Sequence, residues 1–146
     1  MTLRATSIRR AGTWPANEAA DLIILDYDHR HRRRLAMACQ HGLEILLDLP
    51  QATHLRDGDA LVLETGDCIH VRARPELVLE IKAGSPQDLA RLAWHLGNRH
   101  LAVQIRPGRL LILHDHVIAR MIADLGGTTL EIMAAFDPES SASHHA

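Results

Sequence analysis

Aromatic residues are nearly missing from this chain, with one Tyr, one Phe and two Trp in 146 residues. So few rings leave little on which unpaired bases could stack, which argues against a single-stranded nucleic-acid binder. Cysteine is equally scarce: Cys39 and Cys68 are the only two, too few for a disulfide-stapled secreted scaffold. No apolar stretch approaches the roughly 18 to 20 residues that span a bilayer. The opening MTLRATSIRRAGTWPAN is too polar for the apolar core of a signal peptide. The expectation is a cytoplasmic protein with two reduced thiols and no membrane partner. An excess of one charge is lacking too. Sixteen Lys+Arg stand against 18 Asp+Glu, a formal net charge of -2, so no bulk field draws the chain to nucleic acid. No G-x-S-x-G, glycine-rich phosphate loop or H-E-x-x-H occurs, and the chain is not read as an enzyme.

What is abundant is histidine, with 11 residues, on a background that is 47% hydrophobic and able to bury a real core. Imidazole suits nickel, copper and zinc, so the composition leans towards metal.

Two halves carry different periods. Up to about residue 75 the chain reads as an all-β module of five or six short strands, among them DLIILDYD, RRLAMAC, LEILLDL, ALVLET and CIHVRAR. Turn signals such as RDGD separate the later ones. From Leu77 the pattern becomes LVLEIKA as a strand, then a helix over 86–96 whose apolar face is Leu89, Leu92, Ala93 and Leu96. Ser85 suits the N-cap, Pro86 the first helical position, Asp88 a capping box, and Gly97 the left-handed position that ends a helix. LAVQIR and RLLIL then flank a Pro-Gly turn. HVIARMIADLGG forms a second helix with Val117, Ile118, Met121, Ile122 and Leu125 inward, and TTLEIMAAF a last strand. The expected class is therefore α+β: an N-terminal all-β domain at 1–75, then a C-terminal β-α-β-β-α-β domain of ferredoxin-like type at 76–138. The final PESSASHHA reads as a polar, disordered tail, with 139–146 set apart from the folded part.

Several histidines sit where they could do chemistry. In HLGNRH, His95 lies on the polar helix face, whereas His100 falls just past the helix stop, in a turn held between rigid elements. One imidazole is a poor metal site, but a two-fold dimer turns one ligand into two. The same position also suits an interface or turn histidine. In HDHV, His114 and His116 could chelate one ion if the segment is extended; otherwise His114 and Asp115 cap the second helix. Cys39-x-His41 and Cys68-x-His70 could join in a Cys₂His₂ site, or the cysteines could be small buried hydrophobes. The run DHRHRRR at 28–34 invites nucleic acid, and a solvated strand edge explains it as well.

WHLGNRH, QIRPGRLLILHDHVIARMIADLG and the His-bearing tail together resemble the UreE family of urease accessory proteins, which are nickel metallochaperones. LDYDHRHRRR, LRDGDALVLETGD and VRARPELVLEI extend the resemblance over nearly the whole chain. It implies an N-terminal domain similar to peptide-binding domains of chaperones and a C-terminal metal-binding domain through which the protein forms a homodimer. The histidine closing GNRH, His100, would bind nickel at the dimer interface, and His114 and His116 would be peripheral ligands. The tail would add His144 and His145, a departure from relatives with long histidine-rich ends. Ni(II) would be cargo, with Zn(II) or Cu(II) as alternative occupants, and the partners would be the urease apoprotein and its GTPase accessory complex. A metal-buffering or peptide-binding module unconnected with urease is the alternative reading.

Overall fold

Leucine, isoleucine and valine alternate with polar residues along the first 74 positions, and the chain answers with a six-stranded sheet. A computed structural model describes residues 2–139. Its contacts cluster into two units, Met1–Arg74 and Pro75–Ala146.

The first unit contains β1 (Leu3–Arg9), β2 (Asp21–Leu25), β3 (His31–Ala38), β4 (Glu44–His54), β5 (Ala60–Leu63) and β6 (Cys68–Ala73). Their order in the sheet is β2-β6-β5-β1-β4-β3. Every second residue of β2 and of the first half of β4 is buried, which is the period-two signature of a strand with one face in a core. Ile23, Leu25, Ile45, Leu47, Leu49, Leu61, Ile69 and Val71 make that core. β1 was absent from the strands quoted from the sequence, because LRATSIR has no apolar run; only Ala5 is buried in it. Pairing with β4 and β5 on its two sides makes it a strand. β4 bulges opposite Arg33, where its register against β3 shifts, and Pro50 is accommodated in that irregular stretch.

Buried polar groups stitch the turns of this unit. Asp59, fully buried, accepts from the Arg10 guanidinium (2.8 Å) and from the backbone N–H groups of Ala11 (2.9 Å) and Arg56 (2.7 Å). Arg30 corrects the reading of the basic run as a solvated edge. It is fully buried and donates to the carbonyls of Leu25 (3.2 Å) and Leu55 (3.3 Å), while Arg33 and Arg34 of the same run are exposed.

The second unit runs β7 (Pro75–Lys82), α1 (Pro86–Asn98), β8 (Gln104–Arg106), β9 (Arg109–Leu113), α2 (His116–Asp124) and β10 (Thr128–Ala135). The sheet order is β10-β7-β9-β8, with every neighbouring pair antiparallel. Leu79, Ile81, Leu110 and Ile112 pack with Leu92 and Leu96 of α1 and Ile118 and Ile122 of α2, so both helices cover one face. Gly108 takes φ +72 in the Pro-Gly turn between β8 and β9, the conformation that reserves this place for glycine. At Gly127 a Cβ would lie 2.7 Å from both Ile122 Cγ2 and Leu92 Cδ1, so a side chain there would have to push the two helix residues aside.

Three expectations for this unit need correction. Val117 and Leu125 are exposed rather than in the buried stripe, because α2 covers only nine residues and its inward turns present Ile118 and Ile122. LAVQIR is a strand only from Gln104; Leu101 and Val103 pack on the helix core before it. The tail does not leave the fold at Pro138: that residue is buried, the Glu139 N–H donates to the Val103 carbonyl (2.8 Å), and its carboxylate accepts from the Ile105 N–H (3.4 Å).

Candidate functional site

α1 starts as its sequence requires. The Ser85 hydroxyl accepts from the Asp88 N–H at 3.1 Å with Pro86 in the first turn, although the Asp88 carboxylate pairs with Arg91 instead of closing the box. Its end is different from the expected one. Gly97 and Asn98 are helical, Arg99 is the C-cap, and the left-handed residue is His100, with φ 61. The His100 N–H donates to the Gly97 carbonyl (2.9 Å) and the Leu101 N–H to the Leu96 carbonyl (3.2 Å). This is the pair of back-bonds that commonly closes a helix around a glycine. α2 closes with the same two bonds, Gly126 to Ala123 (3.0 Å) and Gly127 to Ile122 (2.9 Å), and there the left-handed residue is glycine, φ +88. One fold thus ends two helices alike, once with glycine and once with an exposed histidine. A side chain in that conformation costs about 1 to 2 kcal/mol relative to the right-handed form. Gly97 misled the sequence reading because it is a common stop signal, yet it stands three positions before the residue that takes the left-handed turn.

In HDHV, β9 ends at Leu113, Asp115 is the N-cap and His116 the first helical residue. The Asp115 carboxylate accepts from the Val117 (2.9 Å) and Ile118 (3.1 Å) N–H groups, so Asp115 alone does the capping. His114 lies in the link, its N–H bonded to the Leu77 carbonyl (3.1 Å) and its Nε2 3.0 Å from Glu131 Oε1.

Topology gathers the three histidines at one end of the sheet. β8 and β9 pair antiparallel, Gln104 opposite Leu111, so the chain leaves His100 for β8 at the end where β9 finishes and α2 begins. Leu77 and Met133, a cross-strand pair, lie at the same end, and both are exposed, as is Val117 in the first turn of α2. His100, His114 and His116 are themselves accessible. His95 is half-buried, its ring edge-on to Trp94 at 5.1 Å. His144 and His145 lie outside the described residues. Among the described residues no three His, Cys, Asp or Glu side chains converge as a site for a metal ion.

The Cys-x-His pairs are not brought together. β2 lies between them, bonded to Gln40 on one side (2.8 Å to the Leu22 carbonyl) and to the strand of Cys68 and His70 on the other. Cys39 is buried, and burial together with the Asp21 carboxylate pushes its thiol up to about 11, away from the thiolate a metal needs. The His70 ring packs edge-on against Trp14 at 5.5 Å. Burial favours the neutral form of Asp21, but backbone donors from Leu22, His41 and Leu43, with the His41 charge, outweigh it and hold the carboxyl below its ordinary range. Asp21 thereby ties down the Cys39–Leu43 turn rather than serving a cation.

A half-buried imidazole that the sequence reading missed is His54. Its ring stacks on His31 at 5.8 Å and meets Tyr27 edge-on at 5.4 Å, and its Nε2 has no hydrogen-bond partner. Burial first, and then the charges of Arg56, Arg30, His31 and Arg10, push it down to about 4. It is neutral at physiological pH and ringed by guanidinium groups, surroundings that repel a cation.

Comparison with known proteins agrees with this division of the chain. A family profile described as "UreE urease accessory protein, N-terminal domain" matches residues 4–74, and the corresponding C-terminal domain profile matches 76–146. The chain is 56% identical over 140 residues to a urease accessory protein UreE of Bradyrhizobium sp. (strain ORS 278), covering 96% of this chain and 66% of that protein. It is 54% identical to one of Rhodopseudomonas palustris (strain HaA2), at 96% and 65% coverage. It is 46% identical over 142 residues to one of Agrobacterium fabrum, at 97% and 88%. The chain thus spans just under two thirds of the length of the first two relatives. No described helix is long and apolar enough to cross a membrane.

Proposed function

The chain belongs to the UreE family of urease accessory proteins, and on that premise we propose that it is a nickel metallochaperone, not an enzyme. It carries Ni(II) as cargo and delivers it to apo-urease. In this reading the second unit is a ferredoxin-like metal-binding and dimerisation domain, an assignment supported by its sheet order and by the two helices on one face. The first unit serves docking to the urease apoprotein and its GTPase accessory complex, and the protein works as a cytoplasmic homodimer.

The observation that carries the reading is His100. It is an exposed imidazole in a backbone conformation that glycine would fill at lower cost, and such strain is usually retained where the side chain has a task. Among the described residues no three His, Cys, Asp or Glu side chains gather around it, and a second copy of the chain would supply the further imidazole that a tight site needs. The exposed Leu77, Val117 and Met133 at the same end are the apolar surface such a dimer would cover. His114, His116, His144 and His145 serve as further ligands that receive or pass on the ion. A site with few imidazoles and open positions binds nickel yet exchanges it, as a carrier must. Zn(II) or Cu(II) would occupy the same nitrogens when nickel is absent.

The test is activation of apo-urease by the nickel-loaded full chain together with the GTPase accessory complex, in the presence of a chelator that sequesters unbound nickel. Delivery gives active urease where the same amount of nickel salt gives none. Equal, chelator-blocked activation in both would leave a metal buffer unconnected with urease.

A further inference from the structure

Glu131 stands on β10, two strands away from the segment that carries His114, and the two side chains meet. In an antiparallel sheet, residues directly opposite each other point to the same face. Glu131 is opposite Leu79, and Leu79 is opposite Ile112, so Glu131 shares the face of Ile112 and of His114 two residues later. Carboxylate and imidazole thus reach towards each other over the end of β7 and close to 3.0 Å between Oε1 and Nε2.

An ionised carboxylate only accepts hydrogen bonds, so Nε2 must be the protonated ring nitrogen. The neutral imidazole then has its lone pair on Nδ1. Metal-bound histidines generally give their other ring N–H to a carboxylate or carbonyl, which orients the ring and raises its basicity. We propose that Glu131 is a positioning residue for His114, holding it as the Nε2–H tautomer so that Nδ1 is the atom presented to nickel. The inference rests on the reading of His114 as a nickel ligand. Both side chains are open to solvent, His114 one third exposed and Glu131 62% exposed, so the contact adds little to folding stability. Its loss can therefore be read without unfolding the protein.

The experiment uses the full chain and Ni(II) alone. In metal-free protein labelled at histidine nitrogen, NMR should assign His114 as the Nε2–H tautomer, with a hydrogen-bonded ring proton that disappears in Glu131→Ala. Glu131→Gln keeps an acceptor oxygen at the same reach and should restore that proton. By calorimetry, Glu131→Ala should weaken the nickel-binding event that His114→Ala removes by roughly 10- to 100-fold, with Glu131→Gln recovering part of the loss. An Nδ1–H tautomer in the wild type overturns the inference. So does unchanged nickel affinity in Glu131→Ala beside a lost event in His114→Ala, and that outcome leaves His114 a ligand. If His114→Ala itself binds nickel as the wild type does, the ligand reading falls and the positioning role with it.

Discussion

At the scale of single residues, a histidine and a glycine occupy equivalent helix ends. Among the described residues His100 is the sole non-glycine residue with positive φ, in the place Gly126 fills after α2. His100→Gly should therefore raise the unfolding free energy by about 0.5–1 kcal/mol while removing an imidazole, whereas His100→Ala should lower it. Denaturant melts of the two variants check this; equal stabilities would mean that the turn stores no strain. The sequence made His100 visible as a candidate because it follows a helix pattern, but it did not reveal which residue takes the left-handed turn. That choice is made by which N–H groups can reach the Leu96 and Gly97 carbonyls, a three-dimensional condition.

His54 and Arg30 were illegible for a related reason: both belong to residue types that are usually exposed, and packing half-buries the one and fully buries the other. The half-buried imidazole has a consequence for acid stability. His54 takes up its proton near 4 in the folded chain, against 6.5 ordinarily. Between those values the unfolded chain binds the proton and the folded one does not. Stability is thus complete above the ordinary value and falls as pH drops towards the depressed one. His54→Phe keeps a ring between Tyr27 and His31 and should flatten that part of the stability profile. An unaltered slope in urea melts across the same range would assign the acid loss to other groups.

At the scale of elements, the periods of two and 3.6 made most strands and both helices legible. What escaped was β1, whose residues are polar and whose strand form comes from neighbours on both sides, and the last residues of α1. The helix start at Asp115 was legible only as one of two alternatives. As observed, Asp115 caps α2 between two histidines and fixes the direction in which His116 leaves the chain. Asp115→Ala should cost about 1 kcal/mol, within a range of 0.5–2, and should also weaken nickel binding that depends on His116. Unchanged thermal stability would show that solvent replaces the cap at no cost.

At the scale of the whole molecule, the division near residue 75 was readable from the change of period and from Pro75, which opens β7 where a strand tolerates it. The site was less readable, since His100 and the pair His114 and His116 come from two separate points of the chain that the antiparallel register of β8 and β9 carries to one end. Glu131, the partner of His114, gave no signal at all in the sequence. Removing residues 140–146, which keeps the Glu139 contacts, should lower the total nickel bound without touching the tightest site or the fold. Loss of the tightest site in that truncation would mean that His144 or His145 completes it.

The central claim is a nickel site shared by two copies of the chain through His100. Isothermal calorimetry of Ni(II) into the full chain, with the oligomeric state followed by light scattering in the same samples, tests it most directly. The tightest event should saturate at about one ion per two chains, and His100→Ala should abolish it while the protein remains a dimer. A His100→Ala protein that binds nickel with wild-type affinity and stoichiometry would contradict the claim.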